Sequence, residues 1–201
     1  MSIAVIATVF ALIVPAELPD KTFVATLVLA TRYRALPVFV GAALGLAVQA
    51  LIAVAAGSAV AQLPKTPVRA VSAAIFALGA VLMFRSVEDP RTEEREVESE
   101  ISDLPAEPSV WRVTTTTFVV LFLAEWGDLT QLLTASLSAK YDAPFAVFTG
   151  SALGLIAVGG LAVTGGKALL RVLPLLWIRR IAAIAFAVVA ILTALDAAGA
   201  L

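Results

Sequence analysis

The chain contains no cysteine and no histidine. Without thiolate or imidazole, the usual ligand sets for zinc, copper or haem cannot be built, so any ion or proton chemistry must run on oxygen. The same absence leaves the redox compartment unreadable. Charge is scarce too: 14% of the 201 residues are Asp, Glu, Lys or Arg, against about 25% in soluble domains. A net charge of −1 points neither to a nucleic-acid partner nor to a strongly anionic surface. No nucleophile stands beside a base, and no resident cofactor is implied, so the chain does not read as an enzyme.

What is there is apolar. Hydrophobic residues make up 61% of the chain and its mean hydropathy is +1.00. A soluble domain of this size could not hide so much apolar surface, which makes lipid the solvent for much of it. A membrane-spanning helix needs about 20 mostly apolar residues. Six segments approach this, at roughly 3–30, 36–63, 68–84, 113–137, 143–170 and 175–195. The third is short, and the first and fourth are interrupted by charge. The runs are continuous rather than alternating with period two, which predicts helices and not barrel strands. No Lys or Arg precedes Lys21, so the first segment reads as a span and not as a cleaved leader.

The charges are segregated. Between Ser86 and Ser109 lie nine acids and two bases, a composition that buries nothing and predicts a solvated linker. Basic residues near the helix ends collect on one face: Arg32, Arg34, Arg85, Arg91, Arg95, Arg112, Arg171, Arg179 and Arg180, against Lys65, Arg69 and Lys140 on the other. The bias places the linker in the cytoplasm and both termini outside a plasma (inner) membrane.

The sequence repeats itself. Glu17-Leu18-Pro19-Asp20-Lys21-Thr22 aligns with Glu125-Trp126-Gly127-Asp128-Leu129-Thr130 at an offset of 108. With small shifts, Gly41 and Gly45 match Gly150 and Gly154, Gly57 matches Gly166, and Phe76 matches Phe186. Three spans per half would make the second half enter the membrane from the opposite side, the inverted-repeat logic of secondary transporters. The expected architecture is an all-α integral membrane fold of six transmembrane helices. Residues 1–85 form one three-helix repeat, 86–109 an acidic linker and 110–201 the second repeat.

Charge in mid-bilayer costs from about 2.5 to more than 10 kcal/mol, so four carboxylates inside spans, with Lys21 the one base nearby, ask for a function. Glu and Asp at i and i+3 share a helical face, and Thr22, Thr130 and Gln131 add neutral oxygens. Two such faces meeting would cage a hard cation such as calcium, manganese or magnesium. The competing reading puts the acids at the membrane edge, paired with Lys21 or capping helix ends. Pro15 and Pro19 free the carbonyls of Ala11 and Pro15, predicting a permanently distorted first half-site, whereas Gly127 makes the second adaptable. The two Gly-x-x-x-Gly pairs read as packing motifs against the motif helices, and Asp196 as interfacial.

At these motifs the chain resembles the calcium:cation antiporter-2 family of Golgi and bacterial exporters. Its members carry six core spans in two halves, each opening with Glu-x-Gly-Asp-Lys/Arg-Thr/Ser. Glu125-Trp126-Gly127-Asp128 with Thr130-Gln131 is a close match; Pro19 and Leu129 depart from the pattern. The resemblance implies export of Mn²⁺, or of Ca²⁺, in exchange for protons, with Glu17, Asp20, Glu125 and Asp128 holding the metal. Four acids in a dry site cannot all stay ionised when it is empty, so metal entry should expel protons. An exporter of another cationic solute such as an amino acid, and a membrane scaffold subunit, remain as alternatives. The sequence leaves the oligomeric state open.

Overall fold

The computed structural model describes residues 2–18, 20–85, 109–172 and 175–199, with side chains outside 166–176 and 179. Pro19 and the acidic stretch 86–108 lie outside the described residues, as does the surrounding of Gly166. Among the described residues all regular structure is helical. The described residues form eight helices: α1 (Ile3–Glu17), α2 (Lys21–Arg32), α3 (Ala35–Val60), α4 (Lys65–Arg85), α5 (Val110–Ala124), α6 (Leu129–Tyr141), α7 (Pro144–Val172) and α8 (Leu175–Ala197). Pro37, Pro67 and Pro144 sit in the first turns of α3, α4 and α7, where a missing N–H costs nothing. Because α4 starts at Lys65, it is longer than its apolar run of 17 residues suggests, at 21.

Four helices are long and apolar enough to cross a membrane, and six crossings result if each of two bent pairs is one span. Those pairs are α1 with α2, bent by 69°, and α5 with α6, bent by 73°. Here the structure corrects the expectation of continuous first and fourth helices. Nor does α1 break at Pro15, which lies inside it; the chain turns after Glu17, and the second copy turns just as sharply.

Lipid-facing and buried stripes separate along each helix. On α3, Leu36, Val40, Leu44, Val48 and Leu51 are exposed while Val38, Ala42, Leu46 and Ala53 are buried, a spacing that follows the helical period. So much exposed apolar surface suits hydrocarbon, not water.

Packing crosses between the halves. α3 lies against α5 and α6, and α7 lies against α1 and α2. The glycine pairs explain the closeness. A Cβ on Gly41 would collide with the Thr114 carbonyl oxygen of α5, and one on Gly150 would sit 2.7 Å from the Ile6 carbonyl oxygen of α1. Each Gly-x-x-x-Gly therefore seats the motif helix of the other half, as packing motifs do. α3 also packs on α7, and α4 on α8. In the latter pair the rings of Phe76 and Phe186 stack with centroids 6.4 Å apart, and Arg69 pairs with Asp196 at 3.0 Å.

Candidate cation site

Both motifs sit at helix breaks. Glu17 is the last residue of α1 and Asp20 the N-cap of α2; Glu125 is the C-cap of α5 and Asp128 the N-cap of α6. The Asp20 N–H donates to the Glu17 carbonyl at 3.0 Å, and the Asp128 N–H to the Glu125 carbonyl at 3.2 Å. Each Glu and Asp are thus brought together by a turn between two helices, not by a shared helical face as the i, i+3 spacing suggests. Gly127 makes its turn with φ +78°, a left-handed conformation that costs other residues about 1–2 kcal/mol.

The two breaks meet. One carboxylate oxygen each from Glu17, Asp20 and Glu125 lie within 4.8 Å of one another. Glu17 is 1% exposed and Glu125 2%. Two reciprocal hydrogen bonds cross the interface: the Thr22 hydroxyl donates to Glu125 Oε1, and the Thr130 hydroxyl to Glu17 Oε2 at 3.1 Å. Glu17 Oε1 and Asp20 Oδ2 are buried without a hydrogen-bond partner, and among the described residues the one ion pair is Arg69–Asp196. Lys21 therefore does not neutralise the cluster by direct contact. Buried anionic oxygens in this condition are costly, and a divalent cation is the chemical group that such a donor set accommodates.

The carboxylates are not equivalent. Asp128 stays outside the group of three, and its Oδ2 accepts from the Thr130 N–H at 3.2 Å, capping α6 as an N-terminal Asp does. Gln131 also turns elsewhere: its Oε1 accepts from the Gly127 N–H at 2.8 Å and its Nε2 donates to Gln49 Oε1 at 2.6 Å.

The profile of the family described as "Divalent cation/proton antiporter GDT1" matches residues 5–91 and 113–200. The chain belongs to this family. A GDT1-like protein of Synechocystis sp. is 33% identical, over 78% of this chain and 80% of its own length. A Vibrio cholerae protein provisionally named a manganese exporter is 34% identical over 89% of this chain and 84% of its own. Protein PAM71 of Arabidopsis thaliana, chloroplastic, is 31% identical over 81% of this chain, which spans 49% of that longer relative. No solved structure matches. The family is one of membrane transporters, not enzymes, and its membership confirms the resemblance carried by the doubled motif.

Two features of this antiporter escape the motif. Gln49, 3% exposed on α3, donates through Nε2 to the Phe122 carbonyl and accepts from Gln131. An amide in the middle of the apolar run 36–63 was the available signal, since burying one demands partners. The second feature is a doublet, Arg32-Tyr33 and Lys140-Tyr141, again at an offset of 108. In each the cation lies over its neighbour's ring, at 5.7 and 5.5 Å, so that α2 and α6 end in the same cation–π pair.

Proposed function

We propose that this antiporter exports Mn²⁺ from the cytoplasm in exchange for protons, and that the metal is held where Glu17, Asp20 and Glu125 converge. The observation that carries the reading is the meeting of three buried carboxylates from two helix breaks, two of whose oxygens lack any partner. An all-oxygen donor set suits Mn²⁺, Ca²⁺ or Mg²⁺; the name of the Vibrio cholerae relative favours manganese. Protons return on the same carboxylates, because a dry cluster of acids binds either a cation or protons. Asp128, three residues from Glu125, adds negative charge beside the site while it caps α6, and Thr22 and Thr130 orient the two glutamates.

The two halves, on this reading, are inverted repeats about a pseudo-two-fold axis. Support comes from pairings that recur with the halves exchanged: α3 on α5 and α7 on α1, Thr22 to Glu125 and Thr130 to Glu17, Phe76 on Phe186. Such a site between repeats is where alternating access operates.

The test is Mn²⁺-driven proton movement in proteoliposomes holding only this protein. Asp20→Asn and Glu125→Gln keep shape while deleting a charge and a proton site. Each should abolish coupled flux, with protein yield unchanged because neutralising a buried acid relieves desolvation. Parental flux in both variants would refute the site.

A further inference from the structure

A helix break inside a membrane leaves backbone groups that no solvent rescues. In α5 the Trp126 N–H, which in an unbroken helix would reach the Phe122 carbonyl, turns instead to Leu123 O at 3.2 Å. Leu123 O is thereby denied to the Gly127 N–H. Among the groups that the break opens are an acceptor, Phe122 O, and a donor, Gly127 N–H. A chain of two side-chain amides joins these two groups: Gly127 N–H to Gln131 Oε1 at 2.8 Å, Gln131 Nε2 to Gln49 Oε1 at 2.6 Å, and Gln49 Nε2 to Phe122 O. Its polarity is forced from both ends. A backbone donor must meet the Gln131 oxygen and a backbone acceptor must meet the Gln49 nitrogen, so neither amide can be turned over without losing a bond.

The first break needs no such chain. There the Leu18 N–H reaches Val14 O at 3.0 Å, closing the acceptor that corresponds to Phe122 O. The position matching Gly127 is Pro19, and proline has no N–H to satisfy. Correspondingly, the positions matching Gln131 and Gln49 are Phe23 and Val158, each 1% exposed in one apolar cluster. Amides stand where the second break opens this acceptor and this donor, and hydrocarbon stands at the matching positions of the first, where the acceptor is closed and the donor is missing.

We propose that Gln49 is a positioning residue for transport: together with Gln131 it ties α3 to both sides of the α5–α6 break and so fixes Glu125 and Asp128, which lie between the two tied groups. The proposal rests on the cation site described above. Gln49 itself offers the metal nothing, since its oxygen is engaged by Gln131. Removing it loosens the geometry of carboxylates that must close around an ion, and groups that orient ligands in this way typically change metal affinity 10–100-fold when lost.

Gln49→Met keeps length and bulk but removes both hydrogen bonds. In Mn²⁺-driven proton flux the apparent KM for Mn²⁺ should rise roughly tenfold while Vmax stays near the parental value. Gln131→Met should give the same shift, and the double variant should be no worse than either single one, because a chain cut once is already cut. A role confined to packing would instead lower protein yield and leave KM where it was. Unchanged KM in Gln49→Met, or effects that multiply in the double variant, overturns the proposal. Should Gln49→Met fail to accumulate, Gln131→Met alone decides by the same criterion, since it breaks the chain at a half-buried residue. Asp20→Asn separates the two levels. If it is inactive while both Met variants match the parent, only the positioning role falls; if it transports normally, the site and the positioning role fall together.

Discussion

The two helix breaks carry the same Glu-x-x-Asp-x-Thr spacing and bend by nearly the same angle, 69° and 73°, yet they are finished differently. The first ends α1 with Glu17 and leaves the Asp20 carboxylate inside the cluster with an unpartnered oxygen. The second passes through a left-handed Gly127, spends the Asp128 carboxylate on capping α6, and needs two amides to close its backbone. The difference teaches that a duplicated motif fixes where carboxylates stand along the chain but not which of them keep an unpartnered oxygen. Backbone satisfaction is solved locally in each copy, and the solution decides which acid is spent on a cap and which is left over.

The largest effect to expect follows from that inequality. Asp20→Asn removes an anionic oxygen from the cluster, whereas Asp128→Asn keeps a cap, because asparagine serves as an N-cap about as well as aspartate. Mn²⁺ flux should therefore fall to background in Asp20→Asn and be reduced but measurable in Asp128→Asn at saturating metal. Equal and complete loss in both would break the comparison. It would mean that Asp128 exchanges its cap for the ion during the cycle, and that the two breaks trade roles between inward- and outward-facing states.

Next in size is the backbone. Gly127→Ala should cost about 1–2 kcal/mol, because a Cβ at φ +78° is strained although nothing within 4 Å would clash with it. Thermal unfolding in detergent measures it. Leu18, the matching position's neighbour at φ −53°, carries no such strain. A Gly127→Ala protein as stable as the parent would show that the second break can relax out of its left-handed turn.

How much of this was legible in the sequence varies residue by residue. The meeting of Glu17 and Asp20 with Glu125 was suggested by the sequence, because acids in apolar runs are costly and a doubled motif strains the reading of a mere cap or membrane-edge pair; Asp128, which caps α6, is the acid that the blander reading described. Their convergence through turns was not, since i, i+3 spacing fits a helix face and a helix-to-helix turn alike; only the backbone distinguishes them. Pro15 signals distortion near the motif but not its place. Proline is a helix breaker in isolation, but α1 runs on to Glu17 with its Leu18 N–H still bonded to Val14 O. Gln131 looked like a ligand because amide oxygens bind hard cations, and the open Gly127 N–H that claims it cannot be seen without the break. The glycine pairs gave the reverse case: their packing role was legible, but not that each serves the other half's motif helix.

Orientation offers a separate check on the halves. The bias of basic residues predicts that position 99 lies in the cytoplasm, and a chain without native cysteine permits single-site labelling. A Ser99→Cys protein should resist an impermeant thiol reagent in intact cells and react once the membrane is opened. Labelling in intact cells would overturn the orientation and put both termini on the cytoplasmic side.

The smallest effect is also the sharpest test of equivalence, because it concerns a feature of the site itself in which the halves agree. Thr22 donates to Glu125 and Thr130 to Glu17, each hydroxyl reaching the glutamate of the opposite half, and both threonines are buried, at 1% and 4% exposure. Valine matches threonine in shape, so Thr22→Val and Thr130→Val delete the bond with little repacking. A single hydrogen bond contributes about 0.5–1.5 kcal/mol net, equivalent to about a 2- to 12-fold change in an equilibrium constant. Because a donated hydrogen bond supports the anionic form of the carboxylate, and the anionic form is the one that takes the metal, apparent Mn²⁺ affinity should fall by that factor in either variant. The loss should deepen as pH is lowered and protons compete harder for the same oxygens. If the pairing is truly reciprocal, the two variants should agree to within about twofold, well inside the spread of single hydrogen-bond energies. An inert Thr130→Val beside a damaging Thr22→Val would mean that only the glutamate of the second break meets the ion, and that the symmetry of these bonds belongs to folding and not to transport.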